Sequence, residues 1–219
     1  MSDNSIQDVF RLIDRDIWVV TSAIADEAAG AGGADDNASS QSTDVPRRGG
    51  LVATWVNRAS IDSHNPSVVI GVAANHFTSN LIDRSSAFGL HLLLPEQADI
   101  AFNFAIGSGR DRDKLSSLAT HVEETGSPIL DACLAWLDCQ VYYRFHGGDR
   151  VYYFADVVAG ETVGATDATP LRESQLLAAA NDQQRADLKE SLDSDVIKQR
   201  PRFREWREQL GDHPHPKFS

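Results

Sequence analysis

Val141-Tyr142-Tyr143-Arg144-Phe145-His146-Gly147-Gly148-Asp149-Arg150 is the stretch on which the fold class turns. Val141, Tyr143 and Phe145 alternate with Tyr142, Arg144 and His146, the period of two expected of a strand with two different faces. Aromatic and β-branched residues favour a pleated, half-buried surface. The glycine pair before Asp149 suits a tight hairpin join. Residues 132–163 therefore read as two long antiparallel strands meeting near residues 146–150.

Working outward, the same chemistry recurs at irregular intervals. Residues 18–24 (WVVTSAI), 51–61, 68–74 and 87–94 are short apolar runs bounded by turn residues such as Asn65-Pro66. Asn75 or Thr78 is placed to cap a short helix to about Ser85. Pro95-Glu96 opens a second helix through Ile106, with Ala98, Ala101, Phe102 and Ala105 inward and Gly107 and Gly109 ending it. Ile6, Val9, Phe10, Ile13 and Ile17 recur at helical spacing over residues 5–17. Residues 26–49 are rich in Ala, Gly, Ser, Asp and Asn and read as a long mobile loop, and 115–128 as irregular chain. Strands not separated by regular helices argue against a doubly wound parallel sheet. The expected class is mainly β: an antiparallel barrel with short helices over residues 1–166, followed by a charged helical C-terminal extension, 167–219.

Composition narrows the function. The chain has 219 residues and a net charge of -12, which disfavours nucleic acid and anionic membranes as partners. Residues 47–114 nevertheless carry seven Lys/Arg against six Asp/Glu, so an anion meets least repulsion there. No apolar run approaches the ~20 residues of a bilayer span. The polar start Met1-Ser2-Asp3-Asn4 is unlike a secretory signal, and a cytoplasmic location is expected. Cys133 and Cys139 fit two buried thiols better than half a metal site. There is no Ser-His-Asp signature, phosphate loop or zinc motif, and no metal ligand set or catalytic side chain is assigned.

Seven segments, in order, carry a resemblance. They are Gly50…Ala53-Thr54-Trp55-Val56…Ser60-Ile61-Asp62, Asn75…Thr78…Ile82, Phe88-Gly89-Leu90-His91-Leu92-Leu93, Ser108-Gly109-Arg110-Asp111-Arg112-Asp113-Lys114-Leu115, Pro128-Ile129-Leu130, Leu137-Asp138-Cys139 and Gly148-Asp149-Arg150. Residues 15 to about 163 thereby resemble the flavin reductase-like domain, the FMN-binding split barrel. The resemblance implies a six-stranded, Greek-key-like antiparallel barrel, a homodimer, and FMN near the dimer interface. It implies that Val52, Ala53, Thr54 and Trp55 face the isoalloxazine ring. It implies that Ser60 and the turn Asn75, His76, Phe77 and Thr78 hold the ribityl chain and phosphate, with Ser108, Arg110 and Lys114 as the cationic loop. Independent chemistry agrees: a phosphate dianion suits helix-end amides and an arginine fork, and a strand of small residues lets backbone donors approach a flat ring.

Two departures bear on activity. Many reductases of this family have Gly-Asp-His in the hairpin turn, where this chain has Gly148-Asp149-Arg150. Arg150 is either a contact for a dinucleotide phosphate, favouring NADPH, or a sign that no nicotinamide binds. Asp62-Ser63-His64-Asn65-Pro66 also replaces a shorter family loop. The expected function is an NAD(P)H-dependent flavin reductase passing electrons to an acceptor. Its rivals are an FMN electron carrier docking to a partner protein, and a flavin- or haem-binding module with His64, His76 or His91 as an axial ligand.

Overall fold

The computed structural model of the protein describes residue 6 and residues 8–10, 12–24 and 48–211. Among the described residues the strands are β1 (Trp18–Ala23), β2 (Arg48–Ala53), β3 (Val56–Arg58), β4 (Ser67–Ala73), β5 (Ala87–Leu92), β6 (Thr120–Val122), β7 (Pro128–Leu130), β8 (Ala135–His146) and β9 (Arg150–Thr162). The α-helices are α1 (Phe77–Ser85), α2 (Ala98–Ala105), α3 (Glu173–Ala179) and α4 (Asp182–Gly211).

Seven strands form one antiparallel sheet in the order β2-β1-β5-β8-β9-β4-β3. The reason it curls lies in one segment. Residues 51–61 read as a single strand, but the chain leaves the ladder at Thr54-Trp55. Before the break β2 pairs with β1, Gly50 opposite Thr21. After it β3 pairs with β4, Val56 opposite Ile70. One bent strand thus lies on both edges of the sheet and draws them together. Counted as one strand, β2 and β3 make the six of the expected split barrel.

Inside the curl pack Val20, Leu51, Ile70, Phe88, Leu90 and Tyr153, all buried. A second core lies outside it, where α2 and β7 bring Phe102, Phe104 and Ile129 against Val19 and Trp136. Leu171, Leu176 and Ala180 belong to that second core, and Leu171 N–H donates to Leu93 O at 2.7 Å. Residues 171–180 are therefore built into the barrel, and Leu188 of α4 packs against the same core.

Several expectations shift. Residues 26–47 lie outside the described residues, but Arg48 and Gly49 are strand, so the segment expected as loop is shorter at its end. The N-terminal helix is over by Leu12, and Asp16 instead bridges to Arg172. Residues 115–128 contain β6, which pairs with β7 in a separate two-stranded sheet. In α2 it is Phe104, not Ala105, that turns fully inward. The hairpin is as long as read, with Gly148 at φ 87° in its turn. Its two-faced alternation fails near the tip. Bulges at Asp138/Cys139 and Val141/Tyr143 break the register, and Tyr142, Tyr143 and Phe145 are all exposed. Among the described residues no helix is long and apolar enough to cross a membrane.

Cys133 and Cys139 are buried free thiols. Burial, with Asp131 nearby, pushes the Cys133 thiol up to about 11, and burial with Asp138 raises Cys139 further. Neither is poised for redox chemistry, because the thiolate is the reactive form.

Candidate functional site

The bent strand builds the floor of a groove. β2 is an edge strand, so the peptide groups on its outer side have no ladder neighbour. Gly50 lets the strand lie low. A Cβ there would stand 2.7 Å from Val20 O and 2.7 Å from the Phe104 ring. Beyond Ala53, Trp55 folds onto Gly71, stacks on Tyr152 at 6.4 Å and 15°, and receives the Arg150 guanidinium 5.0 Å from its ring centroid.

Three adjoining hollows follow this strand. One of about 360 Å³ brings together Val52, the turn Asn75–Thr78, Ser108, Arg110 and Lys114. A small one of about 90 Å³ continues along Val52, Ala53, Thr54 and Trp55 to His76 and Arg150. A third of about 410 Å³ opens past Thr54 and Trp55 toward Asp14, Asp16 and Arg172. All but one of the residues expected at a cofactor site thus lie along one groove, with Arg150 at its middle. The exception is Ser60. Its hydroxyl accepts from Asp62 N at 3.1 Å in the 60–65 turn, and it lines none of these hollows.

At the 360 Å³ end α1 points its N-terminus into the hollow. Neither Asn75 nor Thr78 caps it. His76 stands at the cap position and makes no side-chain capping bond, and Thr78 lies buried in the first turn. The first-turn amides are thus left without a side-chain acceptor, the arrangement that favours an anion.

Two of the three cations of the Ser108–Lys114 stretch, Arg110 and Lys114, are engaged differently. Arg110 donates through both Nη atoms to Asn75 O at 3.4 Å and lies 5.8 Å from the Phe77 ring centroid. It pairs with neither Asp111 nor Asp113; the latter is taken by Arg48 at 2.7 Å. Arg110 therefore stays exposed at the helix start. Ser108 Oγ accepts from Arg110 N at 3.1 Å and shapes the turn. Lys114 is 3% exposed, and its Nζ donates to Phe104 O at 2.6 Å. Burial, with Arg112 nearby, pushes that ammonium down to about 8. Lys114 ties off the end of α2 rather than presenting its charge to the groove.

Sequence reasoning did not foresee that α4 would line this hollow. Ser191, Ser194, Asp195 and Lys198 face it. Asp195 Oδ2 accepts from His76 Nε2 at 2.7 Å and Asp195 Oδ1 from Asn75 Nδ2 at 3.1 Å. Gln199 Nε2 donates to Asn75 Oδ1. Burial raises the Asp195 carboxyl, but the bonds from His76 and Asn75 and the charge of Arg150 outweigh it, leaving it below the usual carboxylate range. The signal was present as spacing: residues 191, 194, 195 and 198 share one helical face.

The three histidines do not make a haem site. His91 is fully buried; Nδ1–H donates to Val19 O at 3.0 Å and Nε2 accepts from Leu130 N at 3.1 Å. These partners require the neutral ring. His76 is held by Asp195, and His64 lies on the exposed 60–65 turn beside Asp62.

Comparison with known proteins adds the following. The family model for the "Flavin reductase like domain" matches residues 10–181. The chain is 30% identical over 96 residues to a flavin reductase of Pseudomonas putida, covering 43% of this chain and 55% of that one. It is 25% identical over 130 residues to diflavin flavoprotein A 1 of Synechocystis, covering 59% of this chain and 22% of that one. The chain thus spans between a fifth and about half the length of these relatives. A flavin reductase domain protein from Arthrobacter superposes with a TM-score of 0.60 at 18% identity, over 78% of this chain and 90% of that one, a likeness in fold.

Proposed function

The chain belongs to the flavin reductase-like domain family, and from that premise we propose that it binds FMN along the groove and acts as a flavin reductase on a reduced nicotinamide nucleotide. The observation that carries this reading is the continuity of the groove. Edge-strand backbone at Val52–Trp55 runs directly into the uncapped start of α1 and the Arg110 turn. That sequence of surfaces, flat and narrow and then rich in donors, fits a planar ring with a phosphate tail. The 360 and 410 Å³ hollows at the two ends of the groove are of the size usual for small-ligand sites.

Flavin, when bound, would supply the redox chemistry, hydride uptake from the nucleotide and onward electron transfer. The residues of this chain bind, orient and shield. Peptide groups of β2 donate to and accept from the ring edge, tuning it. Trp55, braced by Tyr152 and Arg150, closes one end of the ring site. Arg110 and the first-turn amides of α1 neutralise the phosphate. Arg150, held over Trp55 beside the ring site, meets the anionic part of the nicotinamide nucleotide. The protein works as a cytoplasmic homodimer, which the exposed Tyr142, Tyr143 and Phe145 of the hairpin support as an association surface.

Anaerobic addition of NADH or NADPH to the FMN-loaded protein tests turnover. Loss of the flavin absorbance near its oxidised maximum is the expected result. Flavin that binds yet ignores both nucleotides would overturn the reductase reading in favour of an electron carrier. Arg110→Ala is expected to weaken FMN binding about tenfold, the scale of one lost charge-assisted contact, and riboflavin binding by less than about twofold. Fluorescence titration of each flavin measures this, and equal losses would remove Arg110 from the phosphate site.

A further inference from the structure

We infer that α4, which lies beyond the stretch shared with the family, completes the cofactor site of this chain, with Lys198 reading the phosphoryl group of the flavin nucleotide. This rests on the flavin-binding reading above and adds a residue to it.

Three observations carry it. First, α4 is fastened over the groove at two places. Asp195 and Gln199 hold Asn75 and His76, and Phe203 and Trp206 press on Gly148 of the hairpin turn, where a Cβ would meet them at 2.8 and 3.0 Å. Trp206 also meets Phe145 edge-on at 6.5 Å. Such a helix presents its groove-facing residues in fixed positions.

Second, the side-chain donors of the Asn75–His76 turn are already used. Asp195 takes Asn75 Nδ2 and His76 Nε2, and its negative charge repels a phosphate from that side. The phosphate is left to the first-turn amides of α1, Arg110 and the turn of α4 that follows Asp195.

Third, that turn carries Lys198. Lys114 is buried on Phe104 O and Arg110 is shared with Asn75 O. Lys198 lines the same hollow, is exposed, and has no hydrogen bond or ion pair among the described residues. An ammonium on a four-carbon stem reaches a phosphate oxygen as a mobile point charge. Ser194, one turn earlier on the same face, supplies a hydroxyl donor beside it.

The test is flavin affinity of the full chain, read by fluorescence titration with riboflavin, FMN and FAD. Lys198→Gln is expected to weaken FMN about tenfold and to change riboflavin by less than about twofold. Arg200→Gln, which removes a charge from the same helix away from the hollow, is expected to change neither. A parallel loss for FAD assigns Lys198 to the phosphoryl group common to both nucleotides, whereas a loss for FMN alone assigns it to the terminal monoester. Unchanged FMN affinity in Lys198→Gln overturns the inference while leaving the flavin site standing, as does an equal loss in Arg200→Gln. Absence of binding of any flavin to the unmodified protein defeats the flavin reading itself.

Discussion

Gly50→Ala is expected to lower stability by about 3 kcal/mol and to weaken flavin binding at least about tenfold. The cause is the backbone. An added Cβ meets Val20 O at 2.7 Å, and Val20 belongs to β1, the ladder partner of β2. The carbonyl cannot rotate aside without breaking that ladder. Phe104 stands at the same distance on the other side and is itself fully buried, so it has nowhere to go. Overpacking of a tight core costs ~1–3 kcal/mol, and a fixed backbone atom puts Gly50 at the upper end. The strand must then move away from β1, which changes the floor of the groove. Gly109→Ala is the comparison. Its Cβ would meet only the Phe77 ring, at 3.0 Å, and a cost below about 1 kcal/mol is expected. Urea unfolding of both variants checks the contrast. Equal midpoints would show that Gly50 is not wedged in place.

Stability is expected to fall by about 3 kcal/mol between pH 6.5 and pH 4 because of His91 alone. Burial holds this ring's pKa down to about 4, against the pull of its bond to Val19 O, and His121 adds to the depression. In the unfolded chain the ring titrates near 6.5. Between these values the unfolded state binds a proton that the folded state refuses. His91 therefore contributes its full stabilisation above pH 6.5, and the contribution drains away as pH falls toward 4. Asp14 and Asp62 are held below their ordinary values by hydrogen bonds, from Ser174 and from His64 and Asn65 respectively. They lose protons at lower pH and act below this window. His91→Gln keeps a donor and an acceptor without the titration. Its unfolding midpoint in urea is expected to vary far less between pH 7.5 and pH 5 than that of the unmodified chain. An equal pH dependence would show that His91 is not the group responsible.

The parts of the fold that were legible in the sequence are those that depend on local chemistry. The aromatic and β-branched run and the glycine pair marked the β8–β9 hairpin, and Pro95 marked the start of the helical segment ending in α2. The break at Thr54-Trp55 was not legible, because nothing local distinguishes one strand from two. It exists because β1 and β4 claim the two halves from opposite edges. Strands β6 and β7 are three residues each, too short for a period to show. Among the residues expected along the groove, Val52–Trp55 and Asn75–Thr78 could be grouped from the sequence because the ordered motif and the strand-to-helix turn place them together. The burial of Lys114 was not, since it depends on the carbonyl at the end of α2. The role of α4 was hidden for a related reason: beside the apolar contacts of Leu188, Phe203 and Trp206, it is set over the groove by Asp195 and Gln199, whose partners Asn75 and His76 are far away in sequence.

The central claim is that FMN lies along the bent strand with its ring at Val52–Trp55 and its phosphate between α1, the Arg110 turn and α4. A crystal structure of the FMN-loaded protein tests it most directly. The account predicts the isoalloxazine in van der Waals contact with residues 52–55 and the phosphate inside the 360 Å³ hollow, within hydrogen-bond reach of Arg110 or the first-turn amides of α1. FMN bound elsewhere, or bound with its phosphate toward Trp55, would contradict it.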